Sequence, residues 1–159
     1  MNFEMNKIVA ERYLGTVTHE DYVDWAIACL EADLDTKNIR ILASLRNVAS
    51  PSEVEDYFNR CWNDLGWTMP DRRECLFEYA RGLAQQIVSG DLAPPEGCRQ
   101  IYRIVRELKF PGEMISWVYL DEGLHPDNFG ELEGADWDDA IKSEAARFVS
   151  RPLNQTRTK

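Results

Sequence analysis

The sequence predicts an all-α fold, a single-domain bundle of about seven to eight amphipathic helices over residues 1–150. Three observations predict it. Apolar residues recur at i, i+3, i+4 and i+7 in segment after segment. Several of those segments are bracketed by cap residues in front and glycine behind. No stretch reads convincingly as a strand, because the one short candidate, residues 115–120, fits a helix as well.

A first helix spans 3–14 and stops at Gly15. Thr18 and Asp21 form a capping box for a second, whose Tyr22, Trp25, Ala26, Cys29 and Leu30 share one face. Asp35 is expected to cap a third, with Ile39, Leu42, Ala43 and Leu45 inward. The fourth has the strongest start signal: Ser50 at N-cap, Pro51 at N1 and Glu53 at N3. Val54, Tyr57, Phe58, Cys61, Trp62 and Leu65 follow in helical register, and Gly66 then Trp67 suit a left-handed C-cap with its apolar contact.

Thr68 and Asp71 are expected to open the fifth helix, with Pro70 in its first turn. It runs to Ser89 with Leu76, Ala80, Leu83, Ala84, Ile87 and Val88 inward. Pro94-Pro95 opens a sixth with Cys98, Ile101, Tyr102, Val105 and Leu108 inward, and Pro111-Gly112 breaks it. Residues 113–122 make a short seventh with Met114, Ile115, Val118 and Tyr119 inward. Residues 123–134 read as a loop. A last helix from about Ala135 carries Trp137, Ile141, Ala145, Phe148 and Val149, and the tail after Arg151 reads as disordered. Asp21-Tyr22 and Asp56-Tyr57 recur 35 residues apart, which two ordinary amphipathic helices explain better than a repeat.

A chain of 159 residues buries roughly two thirds of its unfolded surface, enough to fold without a metal or disulfide. The four cysteines, at 29, 61, 75 and 98, show no CxxC spacing, and Cys29, Cys61 and Cys98 lie on apolar stripes. With no signal peptide or apolar run of membrane length, the expected compartment is the cytoplasm.

Catalytic chemistry is thinly represented, so the sequence favours binding over catalysis. Only two histidines occur. His19 sits in a helix's first turn, and His125 belongs to a lone Glu122-x-x-His125 broken by Gly123 and Pro126, where a di-iron bundle needs two such motifs. There is no Gly-x-Ser-x-Gly elbow, calcium loop or phosphate-cradling glycine loop. No catalytic residue, metal ligand or cofactor is assigned.

Charge is the distinctive feature. The net charge is −10, which argues against a nucleic-acid binder. Residues 121–144 hold nine acids against one base, Lys142. The stretch is either a solvated loop or a recognition surface for a basic protein. The expected surface consists of Asp121, Glu122, Asp127, Glu131, Glu133, Asp136, Asp138 and Asp139, with Trp117 and Trp137 as aromatic anchors. Arg99, Arg103, Arg106 and Lys109 form a contrasting basic row, either a solvated face, an internal partner for the acids, or a contact for an acidic partner.

Residues 23–26 (Val-Asp-Trp-Ala), 42–45 (Leu-Ala-Ser-Leu), 54–58 (Val-Glu-Asp-Tyr-Phe), 97–102 (Gly-Cys-Arg-Gln-Ile-Tyr) and 119–122 (Tyr-Leu-Asp-Glu) carry a resemblance over most of 10–150. The chain resembles a family of small, uncharacterised, all-helical bacterial cytoplasmic proteins. In general character it is also similar to immunity proteins, which neutralise a basic toxin by covering its active site or a neighbouring surface. The resemblance implies an all-helical fold and transfers no catalytic motif. The leading expectation is a non-enzymatic interaction domain, an immunity protein or inhibitor that binds a basic, toxin-like partner. A regulatory adaptor using the basic row and an enzyme with a carboxylate-based site are the alternatives.

Overall fold

The computed structural model describes residues 3–46, 50–123 and 134–151. Among them are eight α-helices, one 3-10 turn and no strand, so the protein is all-α. Its contacts divide the chain into two compact units, residues 1–75 and 76–159.

The first unit contains α1 (Phe3–Leu14), α2 (His19–Glu31), α3 (Lys37–Ser44), α4 (Pro51–Asp64) and the first residues of α5 (Arg72–Ser89). Local chemistry sets these boundaries. Thr18 and Asp21 form the reciprocal capping box of α2, with Thr18 N donating to Asp21 Oδ2 at 2.7 Å. Ser50 Oγ accepts from Glu53 N at 3.3 Å to start α4, with Pro51 at N1. Past α4, Gly66 takes φ +66° and Trp67 folds its ring edge-on against Trp62, centroids 5.1 Å apart.

Two starts differ from expectation. Thr36, not Asp35, caps α3, and Asp35 instead accepts from Arg40 Nε at 2.6 Å. Asp71 alone caps α5, accepting from Glu74 N at 3.0 Å, so Thr68 and Pro70 lie before the helix, where the Pro70 carbonyl accepts from Tyr13 Oη at 3.0 Å.

The core of this unit is aromatic. Phe58 lies 4.8 Å from Tyr22, 4.9 Å from Trp25 and 5.5 Å from Trp62, centroid to centroid. Arg12 closes the cluster over Phe58 and donates to Glu55 at 2.7 Å and Asn59 at 3.0 Å. The indole N–H groups of Trp25 and Trp62 are buried without an acceptor among the described residues. Cys29 and Cys61 fill gaps in the same core.

The second unit contains the rest of α5, α6 (Pro94–Glu107), the 3-10 turn Gly112–Met114, α7 (Ile115–Gly123) and α8 (Gly134–Ser150). Helices α6, α7 and α8 pack on one another in all three pairings. Leu76, Ala80, Leu83, Ala84 and Ile87 are buried on α5 as expected, whereas Val88 is exposed. Gly97 lets α6 approach α5 closely, since a Cβ there would lie 2.5 Å from Ile87 Cδ1.

The α7 register also differs from expectation. Met114, Trp117, Val118 and Asp121 point inward, at i, i+3, i+4 and i+7, while Ile115 and Tyr119 are exposed. The expected loop between α7 and α8 and the tail after Arg151 fall outside the described residues. All four cysteines are free and buried. No helix among the described residues is long and apolar enough to cross a membrane.

Candidate functional site

The acid-rich stretch begins at the end of α7 and resumes at the start of α8. The two ends are brought together by one contact. Trp137, in the first turns of α8, lays its ring on the backbone of Gly123, the last residue of α7. A Cβ at Gly123 would fall 2.0 Å from Trp137 Cη2. Glu122 and the pair flanking Trp137, Asp136 and Asp138, are thereby gathered at one end of the second unit.

Their surroundings differ. Asp136 and Asp139 are exposed, Asp138 is half-buried, and Glu122 is exposed. Lys142 Nζ lies 4.0 Å from Asp139 Oδ1, a distant solvated pair. Asp136 and Asp138 have no cationic partner among the described residues. Of these acids Asp136 lies in the first turn of α8, where the unpaired N–H groups and the dipole favour a carboxylate.

The structure removes other members of the expected surface. Trp117 is fully buried, 6.1 Å from Phe148 in edge-to-face packing, so it is a core residue and no surface anchor. Asp121 is buried too, one helical turn beyond Trp117 on the inward face of α7. Trp137 is half-buried and its ring is committed to Gly123. Asp127, Glu131 and Glu133 lie outside the described residues.

Glu144, the last acid of the stretch, turns inward. It accepts from Ser116 Oγ at 2.6 Å and Arg147 Nε at 2.6 Å, with a second Arg147 nitrogen on its other oxygen. The bidentate pair lies within α8, and the Ser116 hydroxyl bonded to Glu144 ties α7 to it, so Glu144 is structural.

Burial keeps three of the four thiols protonated. Burial, with Asp121 nearby, pushes the Cys98 thiol up to about 12. Burial pushes Cys61 to about 12 and Cys29 to about 11. These are thiols and not thiolates near neutrality, hence poor nucleophiles. A ring nitrogen of His19 lies 3.0 Å from the Arg46 carbonyl, and Arg46 pairs with Asp24. Among the described residues, no group of three or more His, Cys, Asp or Glu is placed to hold a metal.

The basic row on α6 is exposed along its length at Arg99, Arg103, Arg106 and Lys109. Arg99 Nη1 lies 3.6 Å from Glu96, and Arg106 sits 6.0 Å from the Tyr102 ring centroid. Arg103 and Lys109 make no ion pair among the described residues.

Sequence reasoning missed two features. Gly123 reads as a helix breaker, and only the Trp137 ring against it gives it a packing role. Tyr119 reads as inward because it follows Ile115 by four residues, but the buried Asp121 belongs to the competing inward register.

No family model, curated protein or solved structure matches the chain.

Proposed function

We propose that the protein is a non-enzymatic interaction domain that captures a basic protein partner on the carboxylates gathered where α7 meets α8, in the manner of an immunity protein or inhibitor toward a basic toxin. The Trp137–Gly123 contact carries this reading, because it sets the end of α7, with Glu122, against the first turns of α8, with Asp136, Asp138 and Asp139. Clustered exposed carboxylates steer a cationic partner and raise its rate of encounter. Four buried free thiols suit a reducing cytoplasm.

The test is the triple substitution Asp136→Lys, Asp138→Lys, Asp139→Lys. Immobilised wild-type protein should retain a basic partner from source lysate at low salt and release it at high salt. With that partner purified, the triple variant should associate at least about tenfold more slowly, with most of the salt dependence gone and helicity unchanged. Equal capture by both proteins would remove this surface from the function.

A further inference from the structure

We infer that one basic partner of this acidic end is a second copy of the chain, whose α6 cation row seats on the α7–α8 carboxylates. The inference rests on the reading above and names a partner for the same site.

The row has the form of a docking ridge. Arg99, Arg103 and Arg106 occupy i, i+4 and i+7 of α6, which spans about 10 Å at 1.5 Å per residue, and Lys109 follows just past the helix end. Among the described residues, Arg99 is the one member of the row in an ion pair, and that pair is loose and exposed. Three arginines on one helix face offer planar forks that grip carboxylates two bonds at a time.

The row also ends on an exposed ring. Lys109 and Phe110 take φ of +59° and +57°, and Phe110 is 50% exposed. At the ends of α1, α4 and α5 the left-handed residue is glycine: Gly15, Gly66 and Gly90. At the end of α6 two residues with side chains adopt that conformation in succession, the second of them before Pro111, where it is further disfavoured. These two residues place one more cation and an aromatic ring at the end of the row.

The carboxylate end is the counterpart in sign and in kind. Tyr119 is 65% exposed and lies one turn before Glu122 on the same ridge of α7. Each face thus presents several like charges and one exposed ring, with opposite signs on the two faces. In a two-fold dimer the contact forms twice, once in each direction. A net charge of −10 on each copy makes such pairing local and sensitive to salt. The same net charge disfavours a nucleic acid as the occupant of the row.

Sedimentation velocity of the full chain over a wide concentration range tests this. At about 0.05 M salt the wild type should form a concentration-dependent dimer, with its Kd weakened about tenfold or more at about 0.5 M salt. R99E/R103E/R106E should be monomeric, because its row, with Lys109 as its one remaining cation, then repels the carboxylate end. D136K/D138K/D139K should be monomeric for the mirrored reason. Mixing the two variants should restore dimers, since both contacts of the mixed pair are again opposite in sign.

Circular dichroism checks that each variant folds, and R99Q/R103Q/R106Q, which removes the three arginine charges without adding opposite ones, should also weaken the dimer about tenfold or more. A wild type that stays monomeric at every concentration and salt overturns the inference, as does a mixture that fails to associate. Binding of a single-stranded oligonucleotide by the wild type, abolished in R99E/R103E/R106E with no dimer in either, overturns it in favour of a polyanion. If the wild type is monomeric while the triple variant loses a captured basic partner, this inference fails and the reading beneath it stands. If the triple variant keeps that partner, the reading itself fails.

Discussion

Gly123 is small because an indole lies where its side chain would be. Alanine there gains helix propensity, but its Cβ meets the Trp137 ring at 2.0 Å, which no real contact tolerates. Displacement of the ring should outweigh the gain. Gly123→Ala is expected to lower stability to urea by about 1–2 kcal/mol and to red-shift tryptophan emission, since Trp137 is the ring that must move. Emission and unfolding curves identical to the wild type would show that the ring does not sit there.

The cysteines make a second residue-scale prediction. Cys29, Cys61 and Cys98 have thiols raised to about 11, 12 and 12 by burial. An aromatic disulfide reagent at neutral pH should leave them unmodified until denaturant is added. In an unfolded chain these thiols ionise from about pH 8.5–9. Between that pH and about 12 the unfolded state therefore holds fewer protons than the folded one, and stability falls as pH rises through that window. The thiol contribution is fully present below pH 8. The chemical denaturation midpoint, followed from pH 7 to pH 11, should show the decline, and Cys61→Ala/Cys98→Ala should flatten it.

At the scale of elements, the junctions between helices are the sensitive points. Arg147 and Ser116 both serve Glu144, whose side chain is only 10% exposed. Arg147→Ala leaves a nearly buried carboxylate without its guanidinium. Glu144→Gln keeps the size of the side chain and its bond to Ser116 without leaving a charge behind. The arginine deletion should therefore cost more, about 1–3 kcal/mol, with the guanidinium's own partial exposure holding it at the low end for a buried pair. The reverse order in thermal unfolding would show the pair to be merely superficial.

The α5–α6 junction depends on Gly97. Gly97→Ala drives a methyl to 2.5 Å from Ile87 Cδ1 and should destabilise by about 1–3 kcal/mol. Adding Ile87→Val should recover part of that loss, because the pair shares one space.

These elements were legible in the sequence to different depths. Helix α4 was readable end to end, because Ser50, Pro51, Glu53, Gly66 and Trp67 all act within a few residues of its boundaries. The starts of α3 and α5 were displaced because Asp35, Thr36, Thr68 and Asp71 are all competent caps, and only the packed chain selects between neighbours. The face of α7 was misassigned because a buried Asp121 breaks the apolar stripe that periodicity relies on, while Ile115 and Tyr119 imitate one. The acidic site was half legible. Its charges are written in the composition, but the burial of Trp117 and the seating of Trp137 against Gly123 depend on contacts across more than a dozen residues.

For the whole molecule, the all-helical class followed from periodicity summed over many segments, which tolerates local errors. The division at residues 75 and 76 had no comparable signal. Domain boundaries are read from proline-, glycine- or polar-rich linkers, whereas this division between compact units lies inside α5, a continuous helix from Arg72 to Ser89. Proteases cut where backbone can leave its hydrogen bonds and extend into an active site, and a helix interior does not do so without unwinding. Limited digestion of the native protein should therefore not release the two halves at their junction. Fragments ending at Cys75 or beginning at Leu76 would each carry part of α5, the first with only its opening turn.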